Sequence, residues 1–511
     1  MKIKNLLFGM LACTALVGCS SDDEPNVPVS GESYVAINIV SPGGSSRGNE
    51  GGYEIGSEAE NAANNALFVF FDKNDKVVEA QSIKLSWSGN TSTSPQVEKI
   101  SNAVLVLNKD AATTHAKVVA ILNTNLLPTS MAGKSLSEVC ALADDYSSTE
   151  SFVMSSTVYF DATGAKKIAS DLTAANFATS EEAATEAPVE VYVERVLARV
   201  DAAQASNMVT EGKDVTLDQE TEVTLSAKIL GYKLYSTSEK SYLIKNVADD
   251  VKAYSWDWND AANKRTYWAT IPANMEYNVA ISYNDITDLA ANATEYKEYV
   301  QENTDAKTET ADKATKLLVK AKLQMTVGET TEDAGTILQY KGMYFTEAGF
   351  LTLVNSSLQG YTYSSTVDGV TVTSNDWMNY IKIAKSGASN AKAWEVVAVL
   401  DDTKTFPGSD DLKNKMKEAL SNLGTAWCWN GGAAYFYVDI EHFGAEPQNV
   451  GIVRNHIYEL SISKISGLGT PVYDPDEDIV PEKTDEEPSS YVAARINILK
   501  WKIVNQNVTL D

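Results

Sequence analysis

Residues able to do chemistry are few in this chain, and fewer still stand at working spacings. Of the four cysteines, Cys19 has the telling place, since it closes Leu16-Val17-Gly18-Cys19 after an apolar run that begins at Leu6. A thiol behind a lysine-bearing start and a short apolar stretch resembles the lipid-accepting residue of an exported lipoprotein. Cys140 and Cys428 lie far apart in the sequence. They could pair in an oxidising compartment, although separate buried thiols are the commoner arrangement. Pro128 to Ser135 ends in Gly133-Lys134-Ser135 like a phosphate loop, but proline stands where the opening glycine belongs. Proline has no N–H for a phosphate and cannot take glycine's positive φ. Asp474, Asp476 and Asp478 have the spacing of a calcium loop, yet Ile479 replaces the turn glycine and Asp485 the closing glutamate. His115, His442 and His456 are spaced unlike zinc ligands. No nucleophile, base and orienting acid assemble from local spacing. Trp256, Trp258, Trp427 and Trp429 could stack on sugar rings, although aromatic residues alternating in a strand more often fill a core. The chain therefore offers a lipid-attachment residue, and neither a catalytic set nor a metal or cofactor site is expected.

The elements around these residues are those of an exported β protein. Lys2 and Lys4 precede the apolar run, which is shorter than the ~20 residues of a membrane-spanning helix, so residues 1–18 read as a cleaved signal peptide. Ser20 to Glu24 follows as a short acidic tether. Loss of the two leader lysines from 42 basic residues, against 69 acidic ones, moves the formal charge from −27 to −29. Such a surface repels phosphate backbones and argues against nucleic acid as a partner. In residues 33–40, Val35, Ile37 and Ile39 alternate with Ala36 and Asn38, the pattern of a strand with one buried face. Similar runs recur to the end of the chain, which predicts an all-β protein of β-sandwich domains with a few short helices, at 136–143 and 409–421. Residues 43–58, 202–217 and 473–488 read as loops. The middle one serves as the domain boundary, and the last, rich in acids and prolines, as an extended solvated arm. Beyond it, Val492, Ala494, Ile496 and Ile498 lie in one phase and Leu499, Trp501 and Ile503 in the other, followed by Val508 and Leu510. A one-residue change of phase predicts a bulge or a change of partner.

Three segments carry a family resemblance: Tyr192-Val-Glu-Arg195-Val-Leu-Ala-Arg199-Val, the stretch Val453-Arg454-Asn455-His456-Ile457-Tyr458-Glu459-Leu460, and the terminal residues 497–511. With the Cys19 motif, in this order, they resemble the major subunit of the short fimbriae of Bacteroidales, a fimbrillin of the type V pilus class. The resemblance spans the chain but is only architectural between the motifs. It implies two tandem transthyretin-like β-sandwich domains and an extended C-terminal strand. It also implies a lipoprotein precursor cut after an arginine in the first loop, a position matched by Arg47. The organisation expected is a signal peptide at 1–18, a lipidated propeptide with the first strand at 19–47, and sandwich domains at 48–212 and 213–472. An acidic linker at 473–490 and a donor-type strand at 491–511 complete it.

Under this reading a cut after Arg47 frees the strand of Val35, Ile37 and Ile39. The terminal strand, with Ile496, Ile498, Leu499, Trp501, Ile503, Val508 and Leu510, then fills the groove of the next copy by β-strand addition. The partners expected are other copies of the chain head to tail, other fimbrial subunits, and the outer membrane through the lipid before processing. Host or bacterial surface ligands are not legible. A surface lipoprotein that binds glycans, or a fimbrial tip or anchor subunit, shares the leader and the β-rich composition.

Overall fold

The alternation of the first strand, β1 (Ser33–Pro42), has its reason in a sheet: Val35, Ile37 and Ile39 are fully buried in one core, while Tyr34 and Ala36 pack with Ala184 in another. The structure is a computed structural model that describes residues 33–42, 54, 56–85, 97–108, 110–254, 256–290, 295–305, 313–367, 370–442, 451–481, 491–500 and 505–507. The same sheet holds β2 (Asn65–Phe71), β3 (Val77–Lys84), β4 (Val97–Leu107), β5 (Lys117–Leu122), β6 (Met154–Ser156), β7 (Ser170–Asp171) and β8 (Val189–Arg195). Its order is β3-β2-β5-β6-β8-β1-β4, with β7 attached to β5. β1 is therefore an interior strand, antiparallel to β4 from Ser33↔Leu107 and parallel to β8 from Ile37↔Val189 to Val40↔Tyr192. The sheet curls until its ends meet, where the Gln81 amide donates to Val106 O at 2.7 Å.

β2 and β5 read as unbroken apolar runs because both their faces are covered. Phe68, Phe70, Ala120 and Leu122 join the core of β1. Leu67, Val69, Phe71, Val119 and Ile121 pack instead against Leu243, Ile244, Val247, Trp258 and Trp268, which come from farther along the chain.

Two residues, Val196 and Leu197, separate β8 from β9 (Ala198–Glu211), which already belongs to the second sandwich. The strands that follow include β10 (Lys213–Leu217), β11 (Thr221–Tyr235), β12 (Glu295–Val300), β13 (Lys316–Val327), β14 (Ala433–Asp439), β15 (His456–Ser466), β16 (Tyr491–Lys500) and β17 (Asn505–Asn507). One sheet runs β12-β9-β15-β16-β17, and facing it an eleven-stranded sheet carries β10-β11-β13-β14 in sequence. Val200 and Ala202 of β9 and Tyr458, Leu460 and Ile462 of β15 meet Leu225, Leu317, Val319 and Phe436 between the layers. The larger sheet is extended by a 337–429 insertion whose helices α1 (Glu347–Ser357) and α2 (Asp410–Ser421) cover a separate core around Trp377, Val396 and Met416. No helix of the described residues is long and apolar enough to cross a membrane.

The all-β architecture with few helices agrees with the sequence reading, and α2 starts where the Ser409 hydroxyl accepts the Leu412 N–H. Three local readings differ. Residues 202–217, expected as a loop, are the outer half of β9 and then β10, polar because that stretch of β9 is largely exposed. α1 carried no expectation. The arm expected from 473 is packed on the body as far as 481: Ile479 is buried, its N–H donates to Ile281 O at 2.7 Å, and Tyr435 donates to Val480 O. Two consecutive apolar residues, Ile479 and Val480, interrupt the acidic run there.

Candidate functional site

The residues that β1 buries define the first part of the site. Val35, Ile37 and Ile39 lie among Phe68, Phe70, Leu105, Val118, Val189 and Val191. Burial of each contributes roughly 1.5–3 kcal/mol, so the strand is integral to the first core and not a loose edge. Cys19 and Arg47 lie outside the described residues, as do Trp501, Ile503, Val508 and Leu510.

The second part is the terminal strand. Ile496, Ile498 and Leu499 lie in β16, whose register sets them opposite Leu460, Tyr458 and Ile457 of β15. On its far side β16 pairs with β17 from Arg495↔Asn507 to Asn497↔Asn505. The change of phase at Ile498 and Leu499 occurs without a bulge at that point; pairing runs unbroken from Lys500 to Ala494, and the irregularity falls between Ile462 and Lys464 of the partner strand. Ile457 and Tyr458 are both fully buried, so the sheet is covered on both faces at this end and accepts apolar residues in either phase.

The third part is where two of the three motif segments converge. Arg195, at the end of β8, donates through Nε to Glu60 O (2.8 Å) and through Nη1 to Asn455 Oδ1 (3.2 Å), and it also bonds Asn61. Asn455 N–H donates in turn to Leu197 O (2.8 Å), with Asn455 in the left-handed region at φ 55° that asparagine tolerates better than most residues. Arg454 binds Glu302 (2.6 Å) and donates to Leu243 O (2.9 Å), and Lys245 binds Glu194 and Thr266 O (each 2.9 Å). All four side chains of these two ion pairs are fully buried. Burial and the nearby cations Arg265 and Lys245, with His442, hold His456 well below the usual histidine range, so it is neutral here. The Tyr458 hydroxyl accepts the Val453 N–H at 2.7 Å and lies 2.9 Å from His442 Nδ1. The motif residues are thus a polar rivet between the sandwiches. Glu60, Glu302, Lys245 and Arg265 are members that sequence reasoning missed. For Lys245 the available signal was a charge directly after the apolar pair Leu243-Ile244, since charged residues are almost never fully buried unless paired; the other three stand in polar stretches that carry no such mark.

Beside the rivet, on β9, Arg199 binds Glu60 and Glu54 (each 3.0 Å) and Asp201 (2.7 Å), and the Tyr299 hydroxyl donates to Glu60 (2.6 Å). Burial works against the Glu60 anion, but Tyr299, the Ser57 N–H and Arg199 together bring its carboxyl down to about 2. Glu459, next to Asp201 in the β9–β15 register, is pushed up to about 7 by burial and by Asp201 and Glu54.

The other candidates are structural. Ser135 caps the helix Leu136–Cys140 in a reciprocal capping box with Glu138, so the 128–135 segment is a helix start and not a phosphate loop. The Asp474 carboxylate accepts the Asp476 N–H, Asp476 accepts from Asn284, and among the described residues no group of three or more His, Cys, Asp or Glu is placed to hold a metal. Cys140 and Cys428 are free thiols in separate cores, each pushed up by burial, to about 11 and about 12. Trp258 and Trp429 are core residues.

Residues 428–507 match the family model described as major fimbrial subunit protein type IV, fimbrillin, C-terminal. No curated protein matches the chain. Among solved structures it is similar to a candidate cell adhesion protein from Parabacteroides distasonis, at 12% identity and a TM-score of 0.39 over 94% of this chain and 99% of that one. It is also similar to the tip fimbrial protein Mfa3 from Porphyromonas gingivalis with C-terminal truncation, at 9% identity and a TM-score of 0.32 over 91% and 100%. The matched segment holds β14, the Arg454–Tyr458 motif, β15 and β16, so the likeness to the fimbrillin C-terminal model falls on the terminal sheet of the second sandwich.

Proposed function

We propose that the protein is a structural subunit of cell-surface fimbriae, of the stalk, delivered to the outer membrane as a lipoprotein through Cys19, cut after Arg47 and polymerised head to tail by β-strand addition in fibres that support adhesion. The observation that carries this reading is the seat of β1. With β1 gone, β4 and β8 would face each other across a strand-wide gap, with unpaired N–H and C=O groups above a floor of Phe68, Phe70 and Val118. Such a groove is unstable until another strand fills it. β16 has ten residues, as has β1, about 33 Å of extended chain. Contacts between one copy's groove and the next copy's strand need not close into a ring, so they propagate a fibre.

The path of the main chain suits a load-bearing subunit. β8 is one wall of the seat of β1, and it continues through Val196 and Leu197 into β9, which pairs in parallel with β15, the strand that bears β16. Tension entering at the groove would reach the terminal strand along one covalent run and hydrogen-bonded ladders. The test is N-terminal sequencing of surface fibres, expected to begin at Gly48, with Arg47→Ala leaving lipidated, unpolymerised precursor. An anchor subunit or a glycan-binding lipoprotein would keep its lipid, and the mass of the surface protein separates these two readings from the stalk.

A further inference from the structure

The sheet of the first domain splits beside β8. β6 pairs with β8 over Val193–Arg195 and with β5 at Ile121 and Leu122, then leaves the sheet after Ser156, the Thr157 N–H donating to Tyr192 O at 2.9 Å. β7 attaches farther along β5, at Lys117 and Val118, and reaches β8 through the Ser170 hydroxyl on Glu190 O at 2.8 Å. Between β7 and the first half of β8 lies an open cleft of about 450 Å³, within the ~300–1,000 Å³ usual for small-molecule sites.

We propose that this cleft binds a neutral saccharide of one or two rings. Its walls carry two tyrosines, Tyr159 and Tyr192, together with Lys167, Asp171, Glu190, Asn176 and Lys264. A sugar ring has an apolar C–H face, which an aromatic ring accepts, and a rim of hydroxyls that each donate and accept. Carboxylates, amides and ammonium groups side by side supply both needs. The charge of the walls selects the class. Two lysines face two carboxylates, Lys167 already bridges to Asp171 at 2.8 Å, and Glu190 already accepts from the Tyr192 hydroxyl at 3.1 Å. Neither an anion nor a cation finds an excess of the opposite sign, whereas a polyhydroxyl ligand adds bonds without displacing a charge. The second domain completes the site: Lys264, in a turn at φ 54°, holds its ammonium 5.3 Å from the Tyr159 ring. A fibre would repeat the cleft once per subunit, and repetition raises avidity for a glycan-bearing surface well above the affinity of one site.

The full-length chain with intact β1 suffices for the test, so its outcome is independent of processing and assembly. Saturation-transfer NMR with methyl β-galactoside, methyl α-mannoside and methyl N-acetyl-β-glucosaminide is expected to show one binder with a Kd on the order of 1 mM. Tyr192→Ala is expected to weaken it about tenfold, and Glu190→Ala, at an exposed strand position that disturbs no core, about threefold. The inference is overturned if no glycoside shows transfer at about 10 mM. It is overturned equally if transfer survives both substitutions unchanged, or if a methyl sialoside or inorganic phosphate is taken in preference to every neutral probe.

Discussion

β1 and β16 have the same length and opposite attachments. β1 lies inside its sheet, paired along β4 and over four residues with β8, and its apolar residues are part of the first core. β16 is paired along β15, but its other neighbour is the three-residue β17. A strand built into a core leaves only when its chain is cut, whereas a strand near the rim can detach and reattach with its chain whole. In the proposed strand addition that asymmetry would set a direction, since the acceptor groove would be made irreversibly by proteolysis and the donor supplied reversibly.

The most severe break in this comparison is truncation. Deleting residues 491–511 is expected to leave a folded, processed, secreted subunit that forms no detergent-resistant ladder, while Trp501→Ala should weaken the ladder without abolishing it. If the truncated chain loses its β circular dichroism and elutes as aggregate, β16 is as integral as β1 and the asymmetry fails. Next comes Arg454→Ala, which leaves Glu302 buried without its cation and should cost about 3–5 kcal/mol in denaturant unfolding. Because Arg454 also anchors the start of β15, amide exchange should quicken in β15 and β16 more than in β1.

Ile37→Ala sharpens the contrast from the other side. Removing a fully buried side chain should cost the precursor about 2–5 kcal/mol. Fibres that have shed β1 should show no change in denaturant resistance, because the altered residue is no longer present. Fibres weakened as much as the precursor would mean that β1 stays in place.

The two strands were also unequally legible in the sequence. Val35, Ile37 and Ile39 alternate cleanly because one face of β1 meets a continuous core. The terminal phase change was visible, but its cause was not: only the structure puts the buried pair Ile457 and Tyr458 opposite it. Arg195, Arg454 and Asn455 stood in segments that could be picked out by resemblance. That they meet across the domains was invisible, because Asn455 and Arg195 are separated by 260 residues and no local pattern encodes the distance. Glu60 and Glu302 lie in largely polar stretches, where nothing marks an acid as buried. The splayed β7 and β8 that form the cleft follow from where β6 stops pairing, and no residue type marks that point.

The smallest expected effect is one of pH, and it bears on β16 and not on β1. Glu459 lies between Asp201 of β9 and Asn497 of β16 in the cross-strand row. Burial, and then Asp201 and Glu54, raise its carboxyl to about 7 from an ordinary 4.5, with Arg199 opposing. A group whose folded pKa is raised contributes its full stability below the unfolded value and loses it as pH climbs through the folded one. The row should therefore be firmest below about pH 4.5 as far as Glu459 is concerned, and weaken by about 1–2 kcal/mol between there and pH 8, allowing for partial exposure. Glu60 contributes in the opposite sense, but its loss falls as pH drops toward 2, outside this window. Asp201, also raised by burial, adds to the trend of Glu459. Amide exchange in β16, corrected for the intrinsic effect of pH, should be faster relative to β1 at pH 8 than at pH 5. Glu459→Gln, which keeps the shape and removes the titration, should flatten most of that difference. Equal pH dependence in both strands, or a slope unchanged by the substitution, would place the titrating group elsewhere and detach β16 from the cluster around Arg199.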